Sequence, residues 1–261
     1  MDRVALDTER LRRALQPRWA RIDVVDEAGS TNADLLADAT APDRSVLAAE
    51  HQVAGRGRFN RVWTSPPRAG LTFSVLLRPD VAVQQWGWLP LLAGLALHEA
   101  VDAVTGLQTR LKWPNDLLAA DGRKLAGILA QTSGDADAVV IGIGLNVDTS
   151  AAELPGDAAT SLVLAGAPSV DRSELLTAVL TRLDARFAQW SDCHGEAEPC
   201  GLAQAYTEAC ATIGRHVRVA LPDGALEGDA VAVDPVGRLV VRTPAAEQVV
   251  AAGDVEHVRS A

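Results

Sequence analysis

Only two of the 24 basic side chains in this 261-residue chain are lysine, and both lie in one short stretch. Lys112 opens Lys112-Trp113-Pro114-Asn115-Asp116, and Lys124 follows Asp116 by eight residues in Lys124-Leu125-Ala126-Gly127-Ile128-Leu129. A chain that uses arginine everywhere else and keeps its lysines here implies a need for an ammonium, which differs from a guanidinium in shape, hydration and donor geometry. Beside Asn115 and Asp116 such a cation can stabilise the charge that develops when a carboxylate attacks a phosphorus. Asp116 can hold magnesium, or a water on it. Trp113-Pro114 reads mainly as turn packing.

A second segment, Gly55-Arg56-Gly57-Arg58, alternates residues that let backbone N–H groups approach a ligand with planar forks that grip a carboxylate or phosphate at two points. Its natural guest is an anion. Arg61 extends the positive run, and Trp63 offers a flat surface that can stack on a base or close a pocket. There is no Gly-x-x-x-x-Gly-Lys-Ser/Thr phosphate loop. Gly142-Ile143-Gly144-Leu145-Asn146 lacks the third glycine of the dinucleotide fingerprint and lies in or at the end of a strand, which excludes a Rossmann reading. Close strand packing explains those glycines, and so does a ligand lying against the sheet.

These segments need elements to position them. Leu11 and Leu15 sit four apart in Asp7 to Leu15, as on a surface helix, and Ile22 to Val25 reads as a strand. Ser30-Thr31-Asn32 should lie at a helix N-terminus, because capping residues lead there into a helical pattern. Ser45 to Ala49 and Leu71 to Leu77 read as strands on either side of the arginine-rich loop, and Leu89 to Val104 as a helix. Leu125 to Gln131 and Ala138 to Val147 read as buried strands, and Asp171-Arg172-Ser173-Glu174 opens a helix running to about Trp190. Ser191 to Gly201 is the loosest stretch. From Ile213 onward, alternating Val, Arg and Leu between turn signals at Pro222-Asp223-Gly224, Pro235-Val236-Gly237 and Ala252-Gly253-Asp254 predict a small antiparallel β-barrel. The expected architecture is therefore α+β, with domains over 1–210 and 211–261.

Composition narrows the class. No apolar run approaches the roughly 20 residues that span a bilayer, and the N-terminal residues carry neither a secretory signal nor a lipidation pattern, so a soluble cytoplasmic protein is expected. Cys193, Cys200 and Cys210 form no C-x-x-C pair and read as reduced structural thiols. A net charge of −10 makes nucleic acid an unlikely main partner.

Taken in order, Ser30-Thr31-Asn32, Gln52 before Gly55-Arg56-Gly57-Arg58, Lys112 to Asp116, Lys124 to Leu129, Gly142 to Asn146 and Thr160-Ser161-Leu162 resemble the motifs of biotin protein ligases. The resemblance runs from about Val25 to Trp190, with the tail from Ile213 similar to the small domain that closes these enzymes. It implies a mixed sheet flanked by helices, akin to the class II aminoacyl-tRNA synthetase core, plus an SH3-like C-terminal barrel. The implied reaction has two steps. Biotin attacks the α-phosphate of ATP, with Mg²⁺, to give biotinyl-5′-AMP and pyrophosphate; a lysine of a biotin carboxyl carrier protein or domain, as in acyl-CoA or pyruvate carboxylases, then displaces AMP.

Carried over motif by motif, the resemblance assigns biotin to Ser30, Thr31, Asn32, Gln52, Arg56, Gly57, Arg58, Lys124 and Gly127. It assigns ATP and the adenylate to Gly55, Arg58, Arg61, Trp63, Lys112, Asn115, Asp116, Lys124 and Asn146, with Trp63 and Asn146 facing adenine. Lys124 is the implied catalytic cation, assisted by Arg56, Arg58 and Asp116, and Asp116 is the implied metal ligand. The chain departs from the family at Asn60, where members usually carry glycine; asparagine tolerates positive φ better than most residues. It also begins directly with the catalytic domain, without the winged helix-turn-helix of repressor members, so no operator binding is expected. A lipoyl or octanoyl transferase on the same core is the nearest alternative, and the two basic segments argue against it. A non-catalytic biotin sensor would leave both lysines and Asp116 without a task.

Overall fold

The computed structural model describes residues 3–221 and 224–258. Pro222 and Asp223, two residues of a predicted turn, lie outside them, as do Met1 and Asp2. The chain opens with α1 (Thr8–Leu15), whose N-cap Asp7 accepts the Arg10 N–H and whose Leu11 and Leu15 are buried. Then follow β1 (Arg21–Ala28), α2 (Thr31–Ala37), β2 (Ser45–Gln52), β3 (Gly70–Leu77) and α3 (Leu89–Thr105). Gly106, in the left-handed region at φ 71°, ends α3. Strands β4 (Thr109–Lys112), β5 (Asp116–Ala119), β6 (Lys124–Thr132) and β7 (Val139–Asn146) lead to α4 (Arg172–Asp192), where Asp171 caps the N–H groups of Ser173 and Glu174 as its sequence predicts. Helix α5 (Leu202–Ala209) completes the first part.

Seven strands form one mixed sheet in the order β1-β2-β3-β7-β6-β5-β4, parallel only between β1 and β2. Because side chains alternate across a strand, each central strand writes two surfaces. In β3, Leu71, Phe73, Val75 and Leu77 enter the main core with α3 and α4, and β7 does the same with Val139, Ile141, Ile143 and Leu145. The intervening positions belong to the opposite face: Leu76 and Val140 pack with Leu35 of α2 in a separate small cluster. On that same parity, Thr72 and Ser74 in β3 and Gly142, Gly144 and Asn146 in β7 are polar or lack a side chain. The sheet therefore has a sealed face and an open one.

The remaining strands, β8 (His216–Leu221), β9 (Gly224–Val233), β10 (Leu239–Arg242), β11 (Glu247–Val250) and β12 (Asp254–His257), make an antiparallel sheet in the order β11-β10-β9-β8-β12. This is the small antiparallel domain expected from the strand and turn pattern after Ile213. Among the described residues β11 and β12 do not pair with each other, so the hydrogen bonding stays open. Two buried tryptophans fix this sheet to the first: Trp88 Nε1 donates to Pro235 O at 2.9 Å and Trp113 Nε1 to Gly237 O at 3.1 Å. Gly87 lies so close that a Cβ there would stand 2.3 Å from Val236 O.

Two details go beyond what the sequence pattern showed. The loose stretch from Ser191 contains the end of α4 and is followed at once by α5, which sequence reading had not separated from its surroundings. The Lys112-to-Asp116 motif is the tight turn between the short strands β4 and β5, in register with Lys112 opposite Asp116. The three cysteines are free, as expected.

Candidate active site

On the open face lies a cavity of 200 Å³ whose walls bring together nearly every residue singled out in the sequence. Ser30, Thr31 and Asn32 come from the start of α2, and Gln52 from the end of β2. Arg56, Gly57, Arg58, Arg61 and Trp63 come from the connecting loop, Asn115 and Asp116 from the β4–β5 turn, and Lys124, Gly127 and Asn146 from β6 and β7. Two predicted residues stand outside these walls. Gly55 forms the base of the loop, and Lys112 lines an adjoining groove.

At the closed end a buried polar network replaces the apolar packing found elsewhere. The Thr31 N–H and hydroxyl both donate to Gln52 Oε1, at 2.8 and 3.1 Å. Asn32 Nδ2 donates to Leu129 O and to Gln131 Oε1, at 3.0 and 2.9 Å. Ser74 joins the two, donating to Asn32 Oδ1 at 2.6 Å with its oxygen 2.6 Å from Thr31 Oγ1. The small neighbour is obligatory: a Cβ on Gly142 would meet Asn32 Oδ1 at 2.1 Å. Sequence reading missed Ser74 and Gln131. The sequence carries little signal for them: Ser74 shares the open-face parity of β3 with Thr72, and only the fold shows what each meets. Ser30 occupies the helix N-cap position, but its side chain makes no capping bond.

The loop over the cavity is folded on itself. Arg56 bridges Val62, Gly57 N donates to Arg61 O at 2.7 Å, and Trp63 N donates to Gly55 O at 3.0 Å. A Cβ on Gly55 would stand 2.3 Å from Trp63 O, so glycine closes this hairpin. The left-handed residue is Phe59, at φ 53° and ψ 40°, one position before Asn60; the Asn60 side chain lies outside the described set. Trp63 lies on the glycine pair formed by Gly127 and Gly144, which face each other across β6 and β7. A Cβ on Gly144 would sit 2.3 Å from the indole. The Trp63 Nε1 is buried and has no hydrogen-bond partner in the protein.

Charge concentrates at the other end. Lys124 Nζ stands 2.6 Å from Asp116 Oδ1, although that oxygen lacks the angles of a hydrogen bond. Asn115 donates to Ile128 O at 3.1 Å and accepts from Arg58 Nη1 at 3.2 Å, which fixes the half-buried guanidinium over the pair. Burial pulls the Arg58 guanidinium below its ordinary range, opposed by the nearby carboxylates of Asp116 and Asp254. Asn146 donates to Thr160 O at 3.0 Å and is buried in the wall. The second sheet also contributes, a feature no motif announced: Arg58 donates to Gly253 O at 3.3 Å, and Arg61 pairs with Asp254. The whole is a narrow slot, amide- and hydroxyl-lined at one end and cationic at the other, roofed by a basic hairpin.

Residues 23–148 match the biotin/lipoate A/B protein ligase family, and residues 212–258 match the biotin protein ligase C terminal domain. Over 249 residues the chain is 46% identical to a biotin--[acetyl-CoA-carboxylase] ligase of Mycobacterium tuberculosis, spanning 92% of this chain and 90% of that protein. It is 33% identical over 240 residues to the bifunctional ligase/repressor BirA of Bacillus subtilis, 72% of which is covered. Among solved structures, the biotin protein ligase of Aquifex aeolicus in complex with biotin and ATP superposes with a TM-score of 0.76 at 28% identity, over 93% of this chain and all of that one. The Leishmania major enzyme in complex with biotinyl-5-AMP gives 0.63 at 26% identity, over 92% and 99%.

Proposed function

The chain belongs to the biotin protein ligase family, and from that membership we propose the following division of labour among its own residues. It is an ATP-dependent biotin protein ligase: it activates biotin as biotinyl-5′-AMP and transfers the biotinyl group to a lysine of a biotin carboxyl carrier. In the first step a carboxylate oxygen bonds to the α-phosphorus while the bond to the bridging oxygen breaks, and pyrophosphate leaves with that electron pair. In the second, a neutral lysine amine attacks the acyl carbon, AMP departs and the amine loses a proton. The single observation that carries the assignment of roles is the polarity of the slot, with neutral amide and hydroxyl groups at one end and Lys124, Arg58 and Asp116 at the other.

The uncharged ureido ring of biotin suits the Ser30, Thr31, Asn32 and Gln52 end, where Ser74 and Gln131 hold Thr31 and Asn32 in orientation. Its carboxylate then points toward Lys124, past Gly127. Arg56, Gly57, Arg58 and Gly55 form the roof over the acyl phosphate, and Arg61 the outer rim. The unpartnered Trp63 indole N–H and the Asn146 side chain supply the adenine end. Lys124 neutralises charge on the reacting phosphate, and Asn115 holds Arg58 where it adds to that effect. Magnesium fits this donor set only as a phosphate-borne ion. No cluster of three metal-binding side chains occurs among the described residues, whereas Asp116 next to phosphates matches the one-carboxylate sites that Mg²⁺ uses, where it would offset charge on the polyphosphate.

We take residues 1–210 as the catalytic unit and 211–261 as the closing unit, a division supported by the strand pattern from His216 onward. The acceptor is the carrier domain of a carboxylase, and the acidic charge of −10 supports a partner set without nucleic acid. No helix among the described residues is long and apolar enough to cross a membrane; free cysteines suit a reducing compartment such as the cytoplasm. Incubation with ATP, Mg²⁺, a carrier domain and either biotin or lipoate tests the substrate. Biotin alone should appear on the carrier lysine, and transfer of lipoate alone would overturn the reading.

A further inference from the structure

The loop between β7 and α4 enters the slot and holds the backbone of its central cation. Pro155 and Ala159 line the cavity. Lys124 N donates to Ala158 O and Thr160 N donates to Lys124 O, each at 2.8 Å. The start of the loop is fixed next to β3, where Val147 N and Asp148 N both donate to Ala69 O, at 3.2 and 2.9 Å. Between these two anchors residues 150–157 are exposed apart from Leu154. Their backbone bonds stay local, with Glu153 N and Leu154 N donating to Ser150 O at 3.0 and 3.2 Å. Among the described residues, the one polar group from outside the loop that bonds this stretch is the guanidinium of Arg3.

Arg3 uses most of its fork there. Nη1 and Nη2 donate to Glu153 Oε1 and Oε2 at 3.2 and 2.7 Å, Nη2 also reaches Asp148 O at 3.3 Å, and Nε lies 2.8 Å from Asp148 Oδ1. Glu153 in turn accepts the Ser150 N–H and hydroxyl, at 2.9 and 2.8 Å, which closes the loop's own turn. These bonds, from Arg3 first and Ser150 next, draw the Glu153 carboxyl down to about 2, so the pair is charged at neutral pH. An isolated surface pair contributes little, but a guanidinium that grips one carboxylate at two points and a second beside it is better placed. Arg3 is itself supported. Arg172 and Glu50, a buried pair 2.7 Å apart, hold the backbone behind it: Arg172 donates to Val4 O, and Glu50 accepts the Leu6 N–H, each at 2.6 Å. Arg172 also donates to Gly70 O at 3.0 Å, and Gly70 faces Asn146 across β3 and β7.

Resting on the ligase reading above, we propose that Arg3 is a positioning residue for adenylate formation: by clamping Asp148 and Glu153 it holds the 148–160 loop in place at the nucleotide end of the slot. The N-terminal segment, itself remote from the reacting atoms, thereby acts on the site through the loop. An unclamped loop has to be ordered when nucleotide binds, and that entropy is subtracted from the affinity for ATP and for the adenylate. Affinity for biotin alone is spared, because its ring occupies the other end.

The test compares Arg3→Gln, Glu153→Gln and the double variant. Both side chains lie toward the surface, so melting temperatures should stay within about 2 °C of the unsubstituted chain. In Arg3→Gln, KM for ATP in adenylate formation should rise about fivefold and biotinyl-5′-AMP should dissociate about fivefold faster, the scale of one partly exposed charge-assisted contact. The kcat at saturating ATP, and biotin affinity measured by calorimetry without nucleotide, should change by less than about twofold. Amide hydrogen exchange at Glu153 and Leu154 should quicken in the same variant. The double variant should lose no more than Arg3→Gln alone, because both substitutions remove one tie. Unchanged exchange, or faster exchange with KM for ATP and adenylate release unchanged, would overturn the proposal and reduce Arg3 to a surface charge. Additive losses in the double variant would overturn it as well, since Arg3 would then act without Glu153. Failure of the ligase reading would look different, because the unsubstituted chain would then form no adenylate from biotin and ATP.

Discussion

At Lys124 one ammonium meets one carboxylate at 2.6 Å in the wall shared by two cavities. An interaction made mainly with the developing charge of the transition state appears in rate rather than in ground-state affinity. Lys124→Ala should therefore slow adenylate formation by about 10²–10³-fold while biotin affinity changes by less than about threefold. Single-turnover kinetics beside calorimetry separate the two, and equal losses in both would make Lys124 a biotin-holding group only. Gly142 gives the converse case. Gly142→Ala puts a methyl 2.1 Å from Asn32 Oδ1 and forces that amide out of its bonds to Leu129, Gln131 and Ser74. Biotin affinity should fall about tenfold or more, with KM for ATP nearly unchanged, since each broken buried hydrogen bond costs about 1–3 kcal/mol. The lysines and arginines were legible in the sequence because their residue types are rare or patterned. Ser74 and Asp254 were not, because a lone serine in a strand and a lone aspartate in a turn acquire meaning only from what folds against them.

The element that converts these residues into a site is the hairpin from Gly55 to Trp63, held at its base by Gly55 and Trp63 and at its tip by the second sheet through Gly253 and Asp254. Asp254→Ala removes the partner of Arg61 and, with it, one carboxylate of the cavity wall. We expect faster proteolysis within residues 55–63 in the absence of ligand and a KM for ATP raised a few-fold, with both effects reduced at saturating biotin plus ATP. An unchanged cleavage rate would show that the hairpin needs no such latch. Long elements such as α3 and α4 were readable from periodicity and caps. The four-residue strands β4 and β5 were not, since they are too short to show a period and the turn motif takes the last residue of one and the first of the other, and α5 was hidden behind a glycine N-cap and a stretch of small residues. Strands β6 and β7 were recognised as buried, but their meaning lay in the alternation: large apolar side chains to the helices, and Gly127, Gly142, Gly144 and Asn146 to the ligand face.

Across the whole molecule, two sheets meet over one site, and their joint is built from Trp88, Trp113, Gly87 and the Pro235-Val236-Gly237 turn. The joint titrates through His257, whose pKa is lowered to about 4 by burial and then by Lys112 and Arg215, against 6.5 in an unfolded chain. Between those values the unfolded chain binds a proton that the folded chain does not. The contribution of this group to stability is thus complete above pH 6.5 and is lost as pH falls toward 4. Melting temperature should decline through that window, and His257→Gln should flatten the decline; an unaltered slope would place the loss elsewhere. In the second sheet β11 and β12 are the two edges among the described residues, which puts β12, with Asp254 and His257, beside the site. The central claim is that this slot joins biotin to ATP before any carrier arrives. Exchange of radiolabelled pyrophosphate into ATP, without carrier, tests it most directly. The account predicts exchange that requires biotin and is absent with lipoate; exchange without biotin, or none with it, would contradict it.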